Sequence, residues 1–156
     1  MVERKVLEDG SDYNGSVKDG KPNGEGEITL ENGIYMKGTF KDGKLEGEGY
    51  YMNPHDMTEY NGNFKDGVFD GTGVLTTEEG ARYEGDWKNG QENGNGQLKY
   101  ANGYVYIGNF ENGLRNGDGF LVNDVGDEIF SGKWDKGVPN SRNVPDYLYR
   151  GTIYYR

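Results

Sequence analysis

Tyr83-Glu84-Gly85-Asp86-Trp87-Lys88-Asn89-Gly90-Gln91-Glu92-Asn93-Gly94-Asn95-Gly96 decides how the chain reads. It runs aromatic, any residue, Gly, any residue, aromatic, then a turn ending in Gly, then Gly-x-Gly. Tyr83, Gly85 and Trp87 alternate, and period-two spacing places all three on one face of a strand. Lys88-Asn89-Gly90 is turn chemistry. Gly94-Asn95-Gly96 opens a second strand, which carries Leu98 and closes at Asn102-Gly103.

The stretch repeats up and down the chain. Its aromatic-x-Gly glycine recurs as Gly15, Gly38, Gly62, Gly85, Gly108 and Gly132, at steps of 23 or 24 residues. Five of these units add three glycines at fixed offsets: Gly20, Gly24 and Gly26 in the first, Gly113, Gly117 and Gly119 in the fifth. The sixth keeps Gly137 but has Ser141 and Asn143 where the Gly pair belongs. A fixed period of this length marks a repeat array, each unit burying its apolar face on its neighbours.

Each unit reads as two short antiparallel strands. Glycine is too frequent for helices, and no stretch holds a helical period. The expected fold is all-β: a single-layer antiparallel β-hairpin solenoid of about six repeats, curled by strand twist into a trough. Residues 1–12 form a charged lead-in with an edge strand near Val6 and Leu7, residues 13–137 the array, and residues 138–156 a C-terminal cap. Pro139 and Pro145 break the register there, and Tyr147 to Arg156 looks like a strand rich in aromatics. Three side-chain columns run along the array: Tyr13, Met36, Tyr60, Tyr83, Tyr106 and Phe130; Val17, Phe40, Phe64, Trp87, Phe110 and Trp134; and Ile28, Tyr51, Leu75, Leu98 and Leu121. Asn32-Gly33, Glu79-Gly80 and Asn102-Gly103 are expected as tight hairpin turns with positive φ at both central residues. The 24-residue steps carry an extra residue, expected as a bulge or longer turn around Pro54 and near Val125-Gly126-Asp127-Glu128.

The spaced pattern resembles the MORN repeat, the membrane occupation and recognition nexus family, from about Tyr13 to Gly137. Met36, Val17 and Phe130 stand where the pattern has other aromatics. MORN arrays are regarded as interaction modules, found alone or attached to enzymes. The resemblance therefore implies a binding role, with lipid binding as the activity behind the family name.

Composition narrows the rest. Of the 156 residues 32% are hydrophobic and 13% aromatic, the net charge is −10, and the mean hydropathy is −0.97. That charge argues against nucleic acid and against an anionic lipid surface, both of which call for clustered Lys and Arg. There is no cysteine, hence no disulfide and no thiolate chemistry. Met1 to Asp9 lacks the apolar run of a secretory signal, and no membrane-spanning segment is visible, so the expected location is cytoplasmic.

No catalytic constellation stands out. His55 is the one histidine, beside Pro54 in a loop. Glu78-Glu79 and Asp127-Glu128 lack the ligand spacing of a calcium loop. Gly24-Glu25-Gly26 precedes no helix that would aim a dipole at a phosphate. The expectation is therefore no enzyme, no cofactor and no metal. The function read from the chain is a non-catalytic interaction or scaffolding module. It holds a protein segment, apolar with basic residues, in a trough lined by Tyr13, Met36, Tyr60, Tyr83, Trp87, Tyr106, Phe110, Phe130 and Trp134. The alternatives are a phospholipid surface, self-assembly through the terminal strands, and service to an enzyme on another chain.

Overall fold

The computed structural model describes residues 2–142, 144 and 145. Thirteen strands follow one another: β1 Val2–Val6, β2 Asp12–Lys18, β3 Lys21–Thr29, β4 Tyr35–Lys41, β5 Lys44–Asn53, β6 Thr58–Lys65, β7 Val68–Thr76, β8 Arg82–Lys88, β9 Gln91–Lys99, β10 Val105–Glu111, β11 Leu114–Val122, β12 Glu128–Asp135 and β13 Val138–Pro139. They form one antiparallel sheet in sequence order, with no helix among the described residues. The expected aromatic strand from Tyr147 to Arg156 lies outside the described residues.

Glycine holds the register. Gly15 pairs with Gly26, Gly26 with Gly38, Gly38 with Gly49, and Gly49 with Gly62. Gly62 pairs with Gly73, Gly73 with Gly85, Gly85 with Gly96, Gly96 with Gly108, Gly108 with Gly119, and Gly119 with Gly132. One glycine on each strand from β2 to β12 thus forms a straight row across the sheet. A Cβ built on Gly85 would stand 2.5 Å from the Gly96 Cα, so the facing backbones leave no room for a side chain. The apolar side chains gather on the face towards which the missing glycine side chains would point. Neighbouring strands lie about 4.8 Å apart, which puts alternate strands at nearly 10 Å. Even so, the Tyr83 ring on β8 meets the Phe110 ring on β10 with centroids 5.1 Å apart. The rings lean over the glycines of β9 to do so.

The two glycines of Gly-x-Gly do different work. The second belongs to the row. The first sits in an irregularity within each hairpin: β8 pairs with β9 in regular register from Arg82 to Gly85, then shifts so that Trp87 faces Glu92. Gly94 adopts φ 111° within the displaced segment, a backbone that side-chain-bearing residues rarely take.

The turns inside each unit are the tight ones. Asp19, Asp42, Asp66, Asn89, Asn112 and Lys136 have φ between 48° and 52°, each followed by a glycine with positive φ. This is the two-residue geometry that matches strand twist. The turns expected to have it, at Asn32-Gly33, Glu79-Gly80 and Asn102-Gly103, do not. There only the glycine is positive. Leu30 N–H donates to the Ile34 carbonyl across a three-residue loop, and Gly33 N–H to the Leu30 carbonyl. The added residue removes the need for a second positive φ. The extra residue of the second unit becomes a longer turn from Pro54 to Met57, with Asn53 still facing Thr58. That of the fifth becomes a bulge at Ile129, between the pairs Leu121–Phe130 and Val122–Glu128.

Successive turns are stapled together. Gly90 N–H donates to the Phe69 carbonyl and Asn89 N–H to Asp70 Oδ2 at 3.1 Å. The same two bonds recur at Asp42-Gly43, Asp66-Gly67, Asn112-Gly113 and Lys136-Gly137. Each unit therefore satisfies the turn amides of the next, which otherwise would face water or nothing.

Candidate interaction faces

The nine predicted trough residues lie on one face. Tyr13, Tyr60, Tyr83 and Tyr106 have no exposed surface, and Trp87, Phe110 and Trp134 are buried to within 4%. Met36 and Phe130 are half-buried. The rings pack on one another. Phe64, Tyr60, Trp87, Tyr83, Phe110, Tyr106, Trp134 and Phe130 form an unbroken edge-to-face chain, with centroids 5.1 to 5.7 Å apart. Each tyrosine lies flat over a row glycine and donates its hydroxyl to a backbone carbonyl three residues on. Tyr83 Oη donates to the Asp86 carbonyl at 2.7 Å, and Tyr60, Tyr106 and Tyr13 repeat this with Asn63, Asn109 and Ser16. Burial pushes the Tyr60, Tyr83 and Tyr106 hydroxyls well above the usual tyrosine range.

A fourth column on this face was not read from the sequence. The pairing shift places the second residue after each turn glycine opposite the second aromatic: Pro22, Leu45, Phe69, Glu92, Arg115 and Pro139. Phe69 stacks on Tyr60 with centroids 3.8 Å apart. Glu92 and Arg115 are buried charges, at 1% and 2% exposure. Arg115 donates to the Tyr100 hydroxyl at 2.7 Å and the Gly137 carbonyl at 2.8 Å, with its guanidinium 4.7 Å over the Trp134 ring. Such stacking and hydrogen bonding are how a buried guanidinium is tolerated. The signal was present in the spacing. It was hidden because the column mixes proline, apolar and charged residues.

The opposite face is polar and open. Two side-chain rows flank the glycine row there, and grooves lie between them. One groove of about 570 Å³ is lined by Glu48, Asn61, Asn63, Thr72, Val74 and Glu84 beside row glycines. A second of about 340 Å³ is lined by Asn95, Ile107, Asn109, Asp118, Phe120 and Ser131. Phe120 is 39% exposed. Two carboxylates at the rims hold weak surface partners, Glu84 with Arg82 at 2.9 Å and Asp118 with Lys133 at 2.7 Å. Nearer the first strands, Tyr35 donates to Glu27 at 2.8 Å and Tyr50 to Glu59. The Glu59 bond, then burial, holds the Tyr50 hydroxyl up at about 12.

His55 is exposed, with Nε2 against the Asn32 carbonyl. Among the described residues no three His, Cys, Asp or Glu converge to hold a metal ion. No helix among them is long and apolar enough to cross a membrane.

A repeated hairpin, built on a glycine row and capped by tyrosines, defines a β-hairpin repeat protein. The MORN repeat family model matches residues 13–35, 37–54, 60–82, 83–103 and 106–127, well over half of the chain. The chain belongs to the MORN repeat family. The matched units are five, and β12 and β13, which continue the sheet, fall outside them. No curated protein matches the chain. Among solved structures it is similar to the SAS-4 (dCPAP) TCP domain of Drosophila melanogaster, solved in complex with a proline-rich motif of Ana2 (dSTIL). That likeness has 15% identity, 90% of this chain, 86% of the other, and a TM-score of 0.44. A likeness of that degree says nothing of partner or site.

Proposed function

We propose that the chain is a non-catalytic binding module that holds an extended protein segment along the glycine row. The observation that carries this reading is the contrast between the faces. The aromatic face spends its rings on packing, while the polar face keeps open grooves floored by the row glycines and walled by a few apolar and acidic side chains. Val74, Ile107 and Phe120 offer apolar contact, and Glu48, Glu84 and Asp118 offer charge. A segment that alternates apolar and basic side chains satisfies both. The rim ion pairs are exposed, so a partner's Lys or Arg exchanges for Arg82 or Lys133 at little cost. Within the aromatic trough, Met36 and Phe130 are the predicted lining residues with surface left to offer.

The test is a fluorescence titration with peptides alternating Val or Leu with Lys or Arg. Ile107→Ala and Phe120→Ala should weaken binding, and rising salt should weaken it further. Binding that is indifferent to both, and lost with Met36→Ala and Phe130→Ala, places the segment on the aromatic face instead. A peptide that binds neither way overturns the reading.

A further inference from the structure

The two ends of the sheet differ. β13 is two residues long and ends in Pro139, whose missing amide blunts an edge. β1 has five residues and no proline, and among the described residues no strand pairs with its far edge. Val2 and Val6 are each 71% exposed on it. Its sequence, Val2-Glu3-Arg4-Lys5-Val6, reads apolar, acidic, basic, basic, apolar.

We propose that β1 pairs with the β1 of a second copy of this chain, antiparallel and centred on Arg4, joining two sheets into one. The backbone allows that register. Leu7 N–H donates to the Ser11 carbonyl, so Leu7 and Ser11 form a hydrogen-bonded pair with the first hairpin. Alternation along the ladder then turns the N–H and C=O of Lys5 and Glu3 towards β2, and those of Val6, Arg4 and Val2 outward. Centred on Arg4, the outward groups meet their own kind: Val2 faces the second copy's Val6, and Arg4 faces Arg4. Glu3 and Lys5 then fall opposite each other twice, in the pairs where side chains come closest. Shifting the register by one residue loses both the charge match and the outward bonds.

The facing arginines are not bare charges. Each Arg4 is held by its own Asp12 through two bonds, at 2.8 and 3.2 Å. The contact is isologous, so it closes as a dimer and does not propagate. A pairing of two five-residue strands falls below the ~1,200 Å² of a standard interface. The dimer therefore forms at the upper end of the concentration range.

Sedimentation velocity on the full chain reads it. The wild type should double in mass as concentration rises. Glu3→Lys alone and Lys5→Glu alone should each stay monomeric, because each puts like charges opposite. Mixing the two should recover the doubled mass, since every facing pair is then Lys against Glu. Glu3→Lys with Lys5→Glu on one chain should dimerise by itself. A wild type that stays monomeric throughout overturns the proposal. So do single swaps that associate like the wild type, or a mixture that fails to. Peptide binding in the groove is unaffected by all three variants, which separates this proposal from the preceding one.

Discussion

The second unit and the fourth share the hairpin and its glycine row, and differ at the residue that covers that row. In the fourth, Tyr83 covers Gly96. A Cβ there would stand 2.5 Å from the ring and its hydroxyl. In the second, Met36 stands in the tyrosine's place, and a Cβ on the equivalent Gly49 would meet its nearest atoms at 3.0 and 3.1 Å. The ring chain stops here too. Phe40 meets Tyr13 with centroids 5.3 Å apart, but among the described residues no ring bridges Phe40 to Phe64. Tyrosine and row glycine are therefore one device in two parts. The glycine is obligatory where the ring lies on it and merely favoured where methionine replaces the ring.

The largest expected effect breaks that device. Gly96→Ala should destabilise by about 3 kcal/mol, the upper range of overpacking, because the buried ring cannot retreat. Gly49→Ala should cost at most ~1 kcal/mol, since small shifts relieve the contact and the lost glycine entropy offsets it. Neither glycine has a positive φ, so backbone strain does not confuse the comparison. Urea unfolding with equal slopes measures both. A double-mutant cycle sharpens it: Gly96→Ala should cost less when Tyr83 is already Met. Equal costs in both backgrounds would mean that the ring is not what excludes the side chain.

Much of this was written in the spacing. Glycine and aromatic periods carry strand order, one sheet and the two aromatic columns. Three things were not legible. Gly94 and Gly96 look alike in sequence, and only pairing shows one in a displaced segment and the other in the row. Glu92 and Arg115 look like solvated charges, because nothing local says that the hairpin shift turns them inward. Alternation put Tyr83, Gly85 and Trp87 on one face, but it does not say whether that face lines an open trough or fills one. That depends on how closely rings of successive units pack across the glycine row.

A smaller effect isolates the hydroxyl. Tyr83→Phe keeps the ring on Gly96 and removes the bond to the Asp86 carbonyl, for a loss of ~1 kcal/mol in chemical denaturation. Alkaline pH tests the same groups together. The folded chain raises the Tyr60, Tyr83 and Tyr106 hydroxyls chiefly by burial, and holds Tyr100 up at about 12 despite nearby Arg115. A raised folded pKa favours the neutral form. This contribution is complete below the unfolded value near 10 and is lost as pH rises through the folded one. Phenolate absorbance from Tyr60, Tyr83, Tyr100 and Tyr106 should therefore appear only together with unfolding. A single gradual titration across all tyrosines, with the fold intact, would show that the ring face is open to water.

The smallest effect lies at the far end of the array. Five of the six tight turns carry Asp or Asn at the first positive-φ position, and the sixth carries Lys136 at φ 48°. Asp and Asn tolerate this left-handed backbone because their short polar side chains bond locally, whereas Lys has no such compensation. The rest of the turn is ordinary: Lys136 N–H still reaches Asn116 Oδ1 at 3.0 Å, and Gly137 N–H the Arg115 carbonyl. Lys136→Asn therefore removes strain without touching a bond, and should add about 0.5 kcal/mol. Asp66→Asn, at φ 50° in the third unit, should change little. Hydrogen exchange gives the sharper reading. If the last hairpin opens independently of the central ring chain, Lys136→Asn protects the Lys136 and Gly137 amides and leaves those of Asn89 and Gly90 unchanged. Equal protection at both sites would make the whole sheet a single cooperative unit, and the weaker turn would then limit all of it.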